Sequence, residues 1–483
     1  MSAMAHARRI VIVGGGITGL ATAHALISGA HATKRTLAIT LLERSARLGG
    51  NIVTERRDGF TLDGGPDSWV SSKPQATALA RGVGLGDELV STLEAFRRVY
   101  VAWDGVLHAV PEGLVLAVPT RILPVLQSRL FSWRAKIRMG LEPFVPRHKG
   151  LGDDDDESIA SFVSRRLGRE VCDRLAAPLL GGIFAGDAGD LSIRATFPQF
   201  VEMEEKHGSL IRAMRASPRG AAARDGKAPP SAFTSLRGGM GSVIDALAKA
   251  LAEIDVRMNA RARRVARLPS GDPRGRYAIE MEGASDESAV YADDVVLAMP
   301  AHATASMLRD LDPSVADELA GIPYVSTATV FLAFRKSDVK HPLDATGFIV
   351  PRALGRPMLA ATWVTSKWGA RAPEGQVLMR VFFGGATGQG ILAKDDAELA
   401  TLAQSELGSM MGGLEAKPLF TRVFRFDRAS AQPLVGHLGR MRRIRAGLER
   451  LPGVFVAGGG LDGIGIPDCV RQGGEVAIRI LAE

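Results

Sequence analysis

Near its start, the chain has glycines at the spacing of a phosphate-binding turn. Gly14, Gly16 and Gly19 form a GxGxxG arrangement directly after the β-branched segment at residues 9–13. The first glycine of such a turn permits a tight bend, the second lets the backbone approach a pyrophosphate, and the third lets the next helix pack closely on the strand. The N–H groups at the start of that helix then face the phosphate oxygens. The spacing predicts that a dinucleotide is bound by Gly14, Gly15, Gly16, Ile17, Thr18 and Gly19.

An acidic residue stands where the ribose of a dinucleotide is recognised. A second apolar segment, residues 37–42, ends at Glu43. A carboxylate in this place can accept hydrogen bonds from the ribose hydroxyls and suits a ribose without a 2′-phosphate. Arg44 follows directly, so this preference is mild. Glycine turns are common between strands and helices, but the strand, turn, helix, strand and acid together favour a dinucleotide site.

Both ends of the chain contribute elements that would position this site. Residues 454–457 form another short apolar strand, followed by three glycines and by a helix that begins near Pro467. A strand, glycine turn and helix offer a second helix start to an anionic cofactor. Residues 235–240, a helix from Val243 and a strand from Asp294 add a third piece. We therefore expect one Rossmann-type domain built from both chain ends, with further domains inserted between them.

The middle of the chain divides into a helical part and a sheet part. Residues 76–230 look mostly helical, with an acidic run at 153–157 interpreted as surface charge before a helix capped by Ser158 or by an adjacent Asp. Residues 216–231 are rich in Pro, Gly and Ala and predict a mobile loop. Alternating apolar segments within 322–426 predict a mixed or antiparallel sheet.

The predicted fold class is α/β and α+β, with a Rossmann-type nucleotide domain, an inserted sheet-based substrate domain and a helical domain. The predicted boundaries are 1–75, 233–305 and 437–483 for the nucleotide domain, 76–110 and 306–436 for the substrate domain, and 111–232 for the helical domain.

Composition limits the class of protein further. The length of 483 residues suggests about three domains, and 46% apolar with 23% charged residues is typical of a globular chain. Cys172 and Cys469 are too few for a disulfide framework or a zinc cluster, so we expect free thiols and no metal site. A net charge of +8 does not indicate nucleic-acid binding.

The segment after the second strand resembles that of FAD enzymes in the amine-oxidase and phytoene-desaturase superfamily. It reads ERSARLGG at residues 43–50 and is followed by Thr54 and by Asp63-Gly64-Gly65-Pro66. Alone, this segment would fit an Arg-rich surface loop equally well. After the glycine turn, the interpretation as an FAD-binding segment is favoured.

Motifs along the whole chain resemble the oxygen-dependent porphyrinogen oxidases, which act on protoporphyrinogen IX or, in the Gram-positive type, on coproporphyrinogen III. The motifs lie at residues 14–20, 43–50, 65–69, 178–200, 205–210, 235–240, 346–351, 435–437 and 463–469. The string at 184–198, FAGDAGDLSIRATFP, is specific to this family, whereas amine oxidases and desaturases share only the glycine fingerprint. The residues of several motifs are most similar to those of the Gram-positive type.

This resemblance implies FAD as the cofactor, with contacts carried over motif by motif. Gly14 to Gly19 would meet the pyrophosphate, and Glu43 and Arg44 would flank the adenosine ribose. The other implied cofactor contacts are Arg47, Gly49 and Gly50 along the diphosphate, Val265 beside the adenine, and Gly65, Pro66, Asp67, Ser68, Gly459, Ile464, Gly465 and Ile466 beside the flavin.

The resemblance also implies contacts with the substrate. Lys73 and Arg97 would pair with its carboxylates, and the backbone of Gly182 would face a pyrrole. Ile349 and Trp363 would sandwich the macrocycle. A solvated surface cation remains the alternative for Lys73 and Arg97, and a core position remains the alternative for Ile349 and Trp363. Residues 431–433 read Ala-Gln-Pro where many members have Pro-Gln-Tyr, which leaves the packing beside the flavin open.

The implied activity is the six-electron oxidation of coproporphyrinogen III to coproporphyrin III in heme biosynthesis, with three O₂ giving three H₂O₂. No side chain is assigned as a catalytic base, because the flavin itself accepts the hydride. The first alternative is protoporphyrinogen IX oxidation. More distant alternatives are an amine oxidase or carotenoid desaturase, and a non-catalytic binding protein of the same fold.

The expected location is the cytoplasm, with peripheral contact on the inner face of the cell membrane. No uncharged run reaches about 18 residues, so no spanning helix is predicted, and the N-terminus has no secretion signal. The apolar segment 113–126 and the interleaved Arg129, Arg134, Lys136 and Arg138 suit an interfacial surface or, equally, a buried helix pair. A homodimer and transfer of the product to the next heme-pathway enzyme are further expectations.

Overall fold

The computed structural model describes residues 7–148, 155–217, 231–282 and 289–483. In chain order the strands are β1 (Arg8–Val13), β2 (Leu37–Leu42), β3 (Thr54–Arg57), β4 (Phe60–Asp63), β5 (Trp69–Val70), β6 (Leu89–Ser91), β7 (Tyr100–Trp103), β8 (Val106–Ala109), β9 (Leu114–Val115), β10 (Val118–Pro119), β11 (Phe233–Leu236), β12 (Asp255–Arg257), β13 (Ala262–Arg267), β14 (Tyr277–Met281), β15 (Val290–Ala292), β16 (Asp294–Leu297), β17 (Tyr324–Arg335), β18 (Gly347–Ile349), β19 (Met358–Trp363), β20 (Gln376–Gly384), β21 (Phe420–Ala431) and β22 (Val454–Val456).

The helices follow the same order. They are α1 (Ile17–Thr33), α2 (Gln75–Gly82), α3 (Ile122–Gln127), α4 (Trp133–Gly140), α5 (Ile159–Leu167), α6 (Arg169–Val171), α7 (Ile193–Thr196), α8 (Pro198–His207), α9 (Leu210–Ala216), α10 (Gly241–Ala250), α11 (Ala301–Leu308), α12 (Pro313–Ala320), α13 (Val364–Lys367), α14 (Asp396–Met411), α15 (His437–Leu448) and α16 (Ile466–Ala482). A π-helical segment, Cys172–Gly181, continues α6.

A five-stranded parallel sheet combines strands from both ends of the chain. Its order is β12-β2-β1-β16-β22, with every neighbouring pair parallel. The β-branched runs of β1 and β16 are buried on both faces, as strands of a parallel sheet must be. The prediction that the strands near residues 10 and 454 belong to one sheet is confirmed. Because all five strands run the same way, their carboxyl ends meet at one edge, where α/β sheets bind ligands.

Helices α1 and α16 pack together on one face of the parallel sheet. A side-chain carbon on Gly473 of α16 would lie 2.8 Å from the carbonyl oxygen of Thr18 in α1, so this contact depends on glycine. The prediction of a helix from about Pro467 is confirmed by α16. The two chain ends are therefore joined by helix packing as well as by strand pairing.

A seven-stranded mixed sheet lies in the middle part of the chain. Its order is β21-β17-β20-β19-β18-β7-β8, with only β18 and β7 parallel among these pairs, which confirms the predicted mixed sheet. Side chains alternate between its faces. Trp363 packs with Met379 and Leu332 in the apolar cluster that includes α14. Arg380 points to the opposite face, which we call the inner face, because its guanidinium reaches the carbonyl oxygens of Gly64 and Gly65.

Helices α3 to α9 share an apolar cluster that includes Leu130, Phe162 and Leu175. Residues 89–119 contain the strands β6 to β10, so the prediction of a mostly helical 76–230 was wrong for its first part. The predicted mobile loop at 216–231 falls largely on residues 218–230, which lie outside the described residues.

The acidic run makes defined contacts in its described part. Ser158 caps α5 as predicted, accepting a hydrogen bond from the Ser161 N–H. Asp156 accepts hydrogen bonds from Ser192 and from the Gly436 N–H, so the run does more than provide surface charge. Residues 153 and 154 lie outside the described residues.

None of the helices in the described ranges has the length and apolar character needed to span a membrane.

Candidate functional site

The turn between β1 and α1 has a backbone that only glycine allows at two positions. Gly14 has φ of +111°, and a side-chain carbon there would lie 2.4 Å from the Ala298 carbonyl oxygen. A side-chain carbon on Gly19 would lie 1.9 Å from the Gly14 carbonyl oxygen. The first glycine thus fits the turn against β16, and the third lets α1 pack on it.

The start of α1 leaves room for an anionic group. Gly16 is the N-cap residue, and no side chain accepts a hydrogen bond from the first N–H groups of the helix. A side-chain carbon on Gly16 would meet nothing within 4 Å. Open space beside unsatisfied backbone donors, at the positive end of the helix, is what a pyrophosphate requires. The residues present therefore fit the phosphates of FAD.

Glu43 joins the phosphate turn to the loop after β2. One of its carboxylate oxygens accepts a hydrogen bond of 2.8 Å from the Gly15 N–H, and the other accepts bonds from the N–H and hydroxyl of Ser45. The carboxylate is buried at the carboxyl edge of the parallel sheet. These three bonds leave about one acceptor site, on the oxygen that accepts from Gly15, because a carboxylate can accept about four hydrogen bonds. Glu43 can therefore hold a ribose hydroxyl while it fixes the phosphate turn.

Arg44 and Arg47 differ in their surroundings. Both are exposed, but the guanidinium of Arg47 also donates to the carbonyl oxygens of Leu48, Gly50 and Ile52. Arg47 thereby shapes its own loop. The Gly49 N–H in turn donates to the Gly15 carbonyl oxygen at 2.8 Å, so this loop lies directly against the phosphate turn.

The segment Gly65–Ser68 continues from that loop toward the inner face of the mixed sheet. A side-chain carbon on Gly65 would lie 1.8 Å from the Asn51 carbonyl oxygen. Asp67 accepts hydrogen bonds from the ammonium of Lys367 at 2.8 Å and from the indole N–H of Trp368 at 3.0 Å. Burial alone would raise the pKa of Asp67, but the charges of Lys367 and Arg380 hold it well below its usual range. Asp67 is therefore an ionised carboxylate in a buried setting.

The C-terminal segment closes the site from the other side. Gly465 is the N-cap of α16, and no side chain caps this helix start either. Tyr324 donates from its hydroxyl to the Gly459 carbonyl oxygen at 2.8 Å and accepts from the Ala301 N–H at 2.9 Å. Burial raises the pKa of Tyr324 to about 12, so it remains a neutral donor. The glycine turn after β22 is thereby tied to the start of α11.

The structure brings most predicted cofactor residues to one edge of the parallel sheet. Gly14 to Gly19, Glu43 to Gly50, Gly65 to Ser68 and Gly459 to Ile466 are linked by the contacts above and by an ion pair between Lys73 and Asp468. The side chain of Thr18 is buried beside α16 and hydrogen-bonds Cys469, so only its backbone can face a phosphate. Val265 is fully buried behind the sheet, among Val11, Val13 and Leu42.

The predicted substrate residues fall into different settings. Lys73 is half exposed and Arg97 half buried, and Gly182 is exposed at the end of the π-helical segment. Ile349 and Ile464 are half buried and pack on the same apolar cluster of the helical part. Trp363 is fully buried on the opposite face of the mixed sheet, against Tyr100 and His341. The structure therefore does not bring Trp363 together with Ile349, and the proposed site omits Trp363.

Several residues of the site were not predicted from the sequence. Arg380 and Tyr324 lie on strands of the mixed sheet, where strand register sets their positions, whereas Lys367 is the last residue of the short helix α13. A buried arginine within the apolar run VLMRVFF was the one available signal, because a charge in such a run needs a buried partner.

The departing segment Ala431-Gln432-Pro433 packs without a tyrosine. Ala431 lies against Gly460, where a side-chain carbon on the glycine would come within 2.5 Å. The Gln432 amide donates to the Phe184 carbonyl oxygen at 2.8 Å, and the Pro433 carbonyl oxygen accepts from the Ser192 N–H at 2.9 Å. The segment thus ties the glycine turn after β22 to the helical part.

Comparison with known proteins gives consistent matches over nearly the whole chain. The family described as flavin containing amine oxidoreductase matches residues 17–481. Coproporphyrinogen III oxidase of Bacillus subtilis is 34% identical over 468 residues, covering 96% of each chain. Protoporphyrinogen oxidase 1 of Arabidopsis thaliana chloroplasts is 31% identical, covering 97% of this chain and 87% of the relative. The crystal structure of a protein from Exiguobacterium sp. 255-15 superposes with a TM-score of 0.84 at 32% identity, covering 98% and 99% of the two chains.

Proposed function

Because this chain belongs to the flavin-containing amine oxidoreductase family, we propose that it is an FAD-dependent oxidase that converts coproporphyrinogen III to coproporphyrin III in heme biosynthesis. The observation that carries the FAD site is the convergence of two uncapped helix starts, at Gly16 and Gly465, with the buried carboxylate of Glu43. The names of relatives at 31–34% identity support a porphyrinogen as the substrate class. The Bacillus relative supports coproporphyrinogen III in particular.

When bound, FAD would supply the hydride- and electron-transfer chemistry, and the removal of six electrons from one porphyrinogen would require three O₂ and yield three H₂O₂. The chain's own residues bind and orient. The start of α1 and Glu43 hold the nucleotide end, while Gly65–Ser68 and Gly459–Ile466 enclose the flavin end. Lys73 and Arg97 provide cations for the carboxylates of the substrate. Ile349 and Ile464 provide apolar walls that exclude water from the macrocycle.

The test is anaerobic reduction of the protein-bound flavin, measured by the loss of flavin absorbance. Coproporphyrinogen III should bleach the flavin rapidly, and protoporphyrinogen IX should do so more slowly. Rapid bleaching by protoporphyrinogen IX alone would favour the second substrate, which the plant relatives support. Bleaching by an amine or by phytoene, with none by either porphyrinogen, would contradict the proposal and favour an amine oxidase or desaturase. A purified protein without flavin would favour a non-catalytic binding protein.

We also propose that the helical part contacts the membrane surface. An apolar surface cluster on α3, α4 and the turn after α4 is exposed, with 77% of Phe144 and 65% of Trp133 accessible. Its members are Ile122, Leu123, Trp133, Ile137, Leu141 and Phe144. Exposed arginines at 121, 129 and 134 stand among them. Large apolar patches are rare on monomers, and interleaved cations suit a surface of anionic lipid.

A further inference from the structure

Arg380 is a buried cation without a carboxylate partner. Only 5% of it is exposed, in the middle of the mixed sheet. Its Nη2 donates to the carbonyl oxygens of Gly64 and Gly65, at 2.7 and 2.6 Å. Its buried Nε–H has no partner within the described part of the chain, and no ion pair to a described carboxylate is formed. The rings of Phe382 and Phe331 lie 4.5 and 5.5 Å from the guanidinium carbon.

The charged side chains around Arg380 do not balance its positive charge. Asp67 pairs with Lys367, and Asp63 pairs with Arg371 at 3.3 Å. We call these four residues and Arg380 the charged cluster. Three cations against two carboxylates leave one positive charge, and a guanidinium stays protonated in proteins. Burial lowers the pKa of Arg380, while Asp67 and Asp63 oppose that change.

An unpaired buried charge is costly, because the ion has lost its hydration without gaining a counter-ion, and a buried donor without an acceptor adds to this cost. A bound group that becomes negative would offset this cost. Arg380 contacts Gly64 and Gly65, which lead into the Gly65–Ser68 segment at the proposed flavin end of the site. A flavin that takes up two electrons and one proton gains a negative charge, and nearby charge tunes its electronics.

We propose that Arg380 is the counter-charge for the reduced flavin, a positioning residue whose fixed positive charge raises the reduction potential of the bound FAD. The inference rests on the flavin site of the proposed function and not on which substrate is oxidised. A residue that only braces the Gly64–Gly65 backbone would affect FAD retention and folding. A counter-charge also changes the potential of FAD that remains bound.

The experiment measures the midpoint potential of the bound flavin against a reference dye, without porphyrinogen. Arg380→Gln should make the potential more negative by at least a tenfold change in the reduction equilibrium, about 30 mV for a two-electron couple. Arg380→Lys should keep the wild-type value. Arg422→Gln is the matched control. Arg422 and Arg380 lie opposite Phe331 in register, on the two strands that flank β17. Arg422, however, is partly exposed and already forms an ion pair with Glu55.

An unshifted potential in flavin-loaded Arg380→Gln would overturn the proposal, as would an equal shift in Arg422→Gln. If Arg380→Gln loses FAD, Arg380→Lys is titrated beside the wild type from about pH 6 to pH 10, because a buried lysine loses its charge more readily than arginine. If Arg380 is the counter-charge, the midpoint potential of Arg380→Lys must fall more steeply with rising pH than that of the wild type. Asp63, Asp67 and Lys367 are the same in both proteins, so their titration does not account for a difference. Parallel profiles, or loss of FAD from both variants, would assign Arg380 to backbone support alone. A wild-type protein that contains no flavin would instead contradict the proposed function.

Discussion

The ammonium of Lys73 lies 2.6 Å from a carboxylate oxygen of Asp468, in an ion pair that joins the segment after β5 to the first turn of α16. Lys73 is half exposed, whereas the Asp468 side chain is mostly covered. The pair links the Gly65–Ser68 segment with the glycine turn that precedes α16. It therefore places a cation beside the proposed flavin end of the site and gives that cation a carboxylate partner within the chain.

The first prediction concerns this cation and the half-buried Arg97. Lys73→Ala and Arg97→Ala should each raise the KM for a porphyrinogen about tenfold, equivalent to about 1.4 kcal/mol, because each removes a charged contact with a carboxylate. The kcat at saturation should change little. Steady-state oxygen consumption measures both constants.

The control for Lys73 is Lys206→Ala. Lys206 is another exposed lysine with a carboxylate partner, Glu202 at 3.0 Å, and it lies on α8 of the helical part. Its KM should equal that of the wild type. Unchanged KM values in both Lys73→Ala and Arg97→Ala would remove the two cations from the substrate site.

The second prediction concerns the nucleotide end. Glu43→Ala should weaken FAD binding by about 10- to 100-fold, because it removes a charged acceptor and releases the N–H groups of Gly15 and Ser45 that the carboxylate holds. Reconstitution of the apoprotein with FAD, followed by flavin fluorescence, measures the Kd. Glu280→Ala, which removes a surface carboxylate paired with Arg264, should leave the Kd unchanged. An equal Kd for Glu43→Ala and wild type would show that Glu43 does not support the nucleotide.

The sequence allowed the nucleotide part of the fold to be predicted, because its signals are local. The GxGxxG spacing, the acid at Glu43 and the apolar strands can each be read from a few neighbouring residues, and the parallel sheet confirms the predicted strands. The face of the mixed sheet on which Trp363 lies was harder to predict, because a single-residue change of register moves a strand side chain to the other face. Arg380 reaches the site through pairings between distant strands, and Lys367 reaches it from α13, the helix that follows one of those strands, so no local pattern specifies either position.

The third prediction concerns a fully buried ion pair in the helical part. Arg166 and Glu142 are both inaccessible to solvent, and Glu142 also accepts from the Ser209 hydroxyl and the Leu210 N–H. Arg166→Met should lower the free energy of unfolding by about 3–5 kcal/mol, because it leaves a buried carboxylate without its cation. Urea denaturation followed by circular dichroism measures this loss. The double variant Arg166→Met with Glu142→Met should recover part of it.

Arg169→Ala is the comparison for that pair. Arg169 and Asp173 form an exposed ion pair at 3.5 Å on the neighbouring helical turn, and exposed pairs contribute about 0–1 kcal/mol. A loss in Arg166→Met no larger than in Arg169→Ala would contradict the assigned role of the buried pair.

The fourth prediction is a loss of stability in acid. Burial alone would raise the pKa of Glu204, but hydrogen bonds from Arg165 and from the His148 N–H hold it below its usual value. A carboxylate with a lowered folded-state pKa stabilises the fold above its unfolded pKa, near 4.3, and this contribution disappears as the pH falls through the folded value. Thermal unfolding from about pH 6 to pH 3 should therefore show a smaller loss of Tm for Glu204→Gln than for wild type. Glu202→Gln, at an exposed position on α8, should follow the wild-type profile, and a Glu204→Gln profile parallel to wild type would refute the assignment.

The last prediction concerns the apolar surface cluster. The triple variant Trp133→Ser, Ile137→Ser and Phe144→Ser should lose most of its co-sedimentation with vesicles that contain anionic phospholipid, because three exposed apolar side chains no longer enter the lipid interface. The wild type should also bind less at high salt, since exposed cations such as Arg134 contribute by screened attraction.

Ile478→Ser provides the control, because Ile478 on α16 is equally exposed, at 69%, but stands outside the cluster. It should bind vesicles like the wild type. A wild type that stays in the supernatant would contradict membrane contact. If the wild type were a dimer and the triple variant a monomer, with neither bound to vesicles, the cluster would instead be a contact between two copies of the chain, since subunit interfaces bury the same kind of apolar patch.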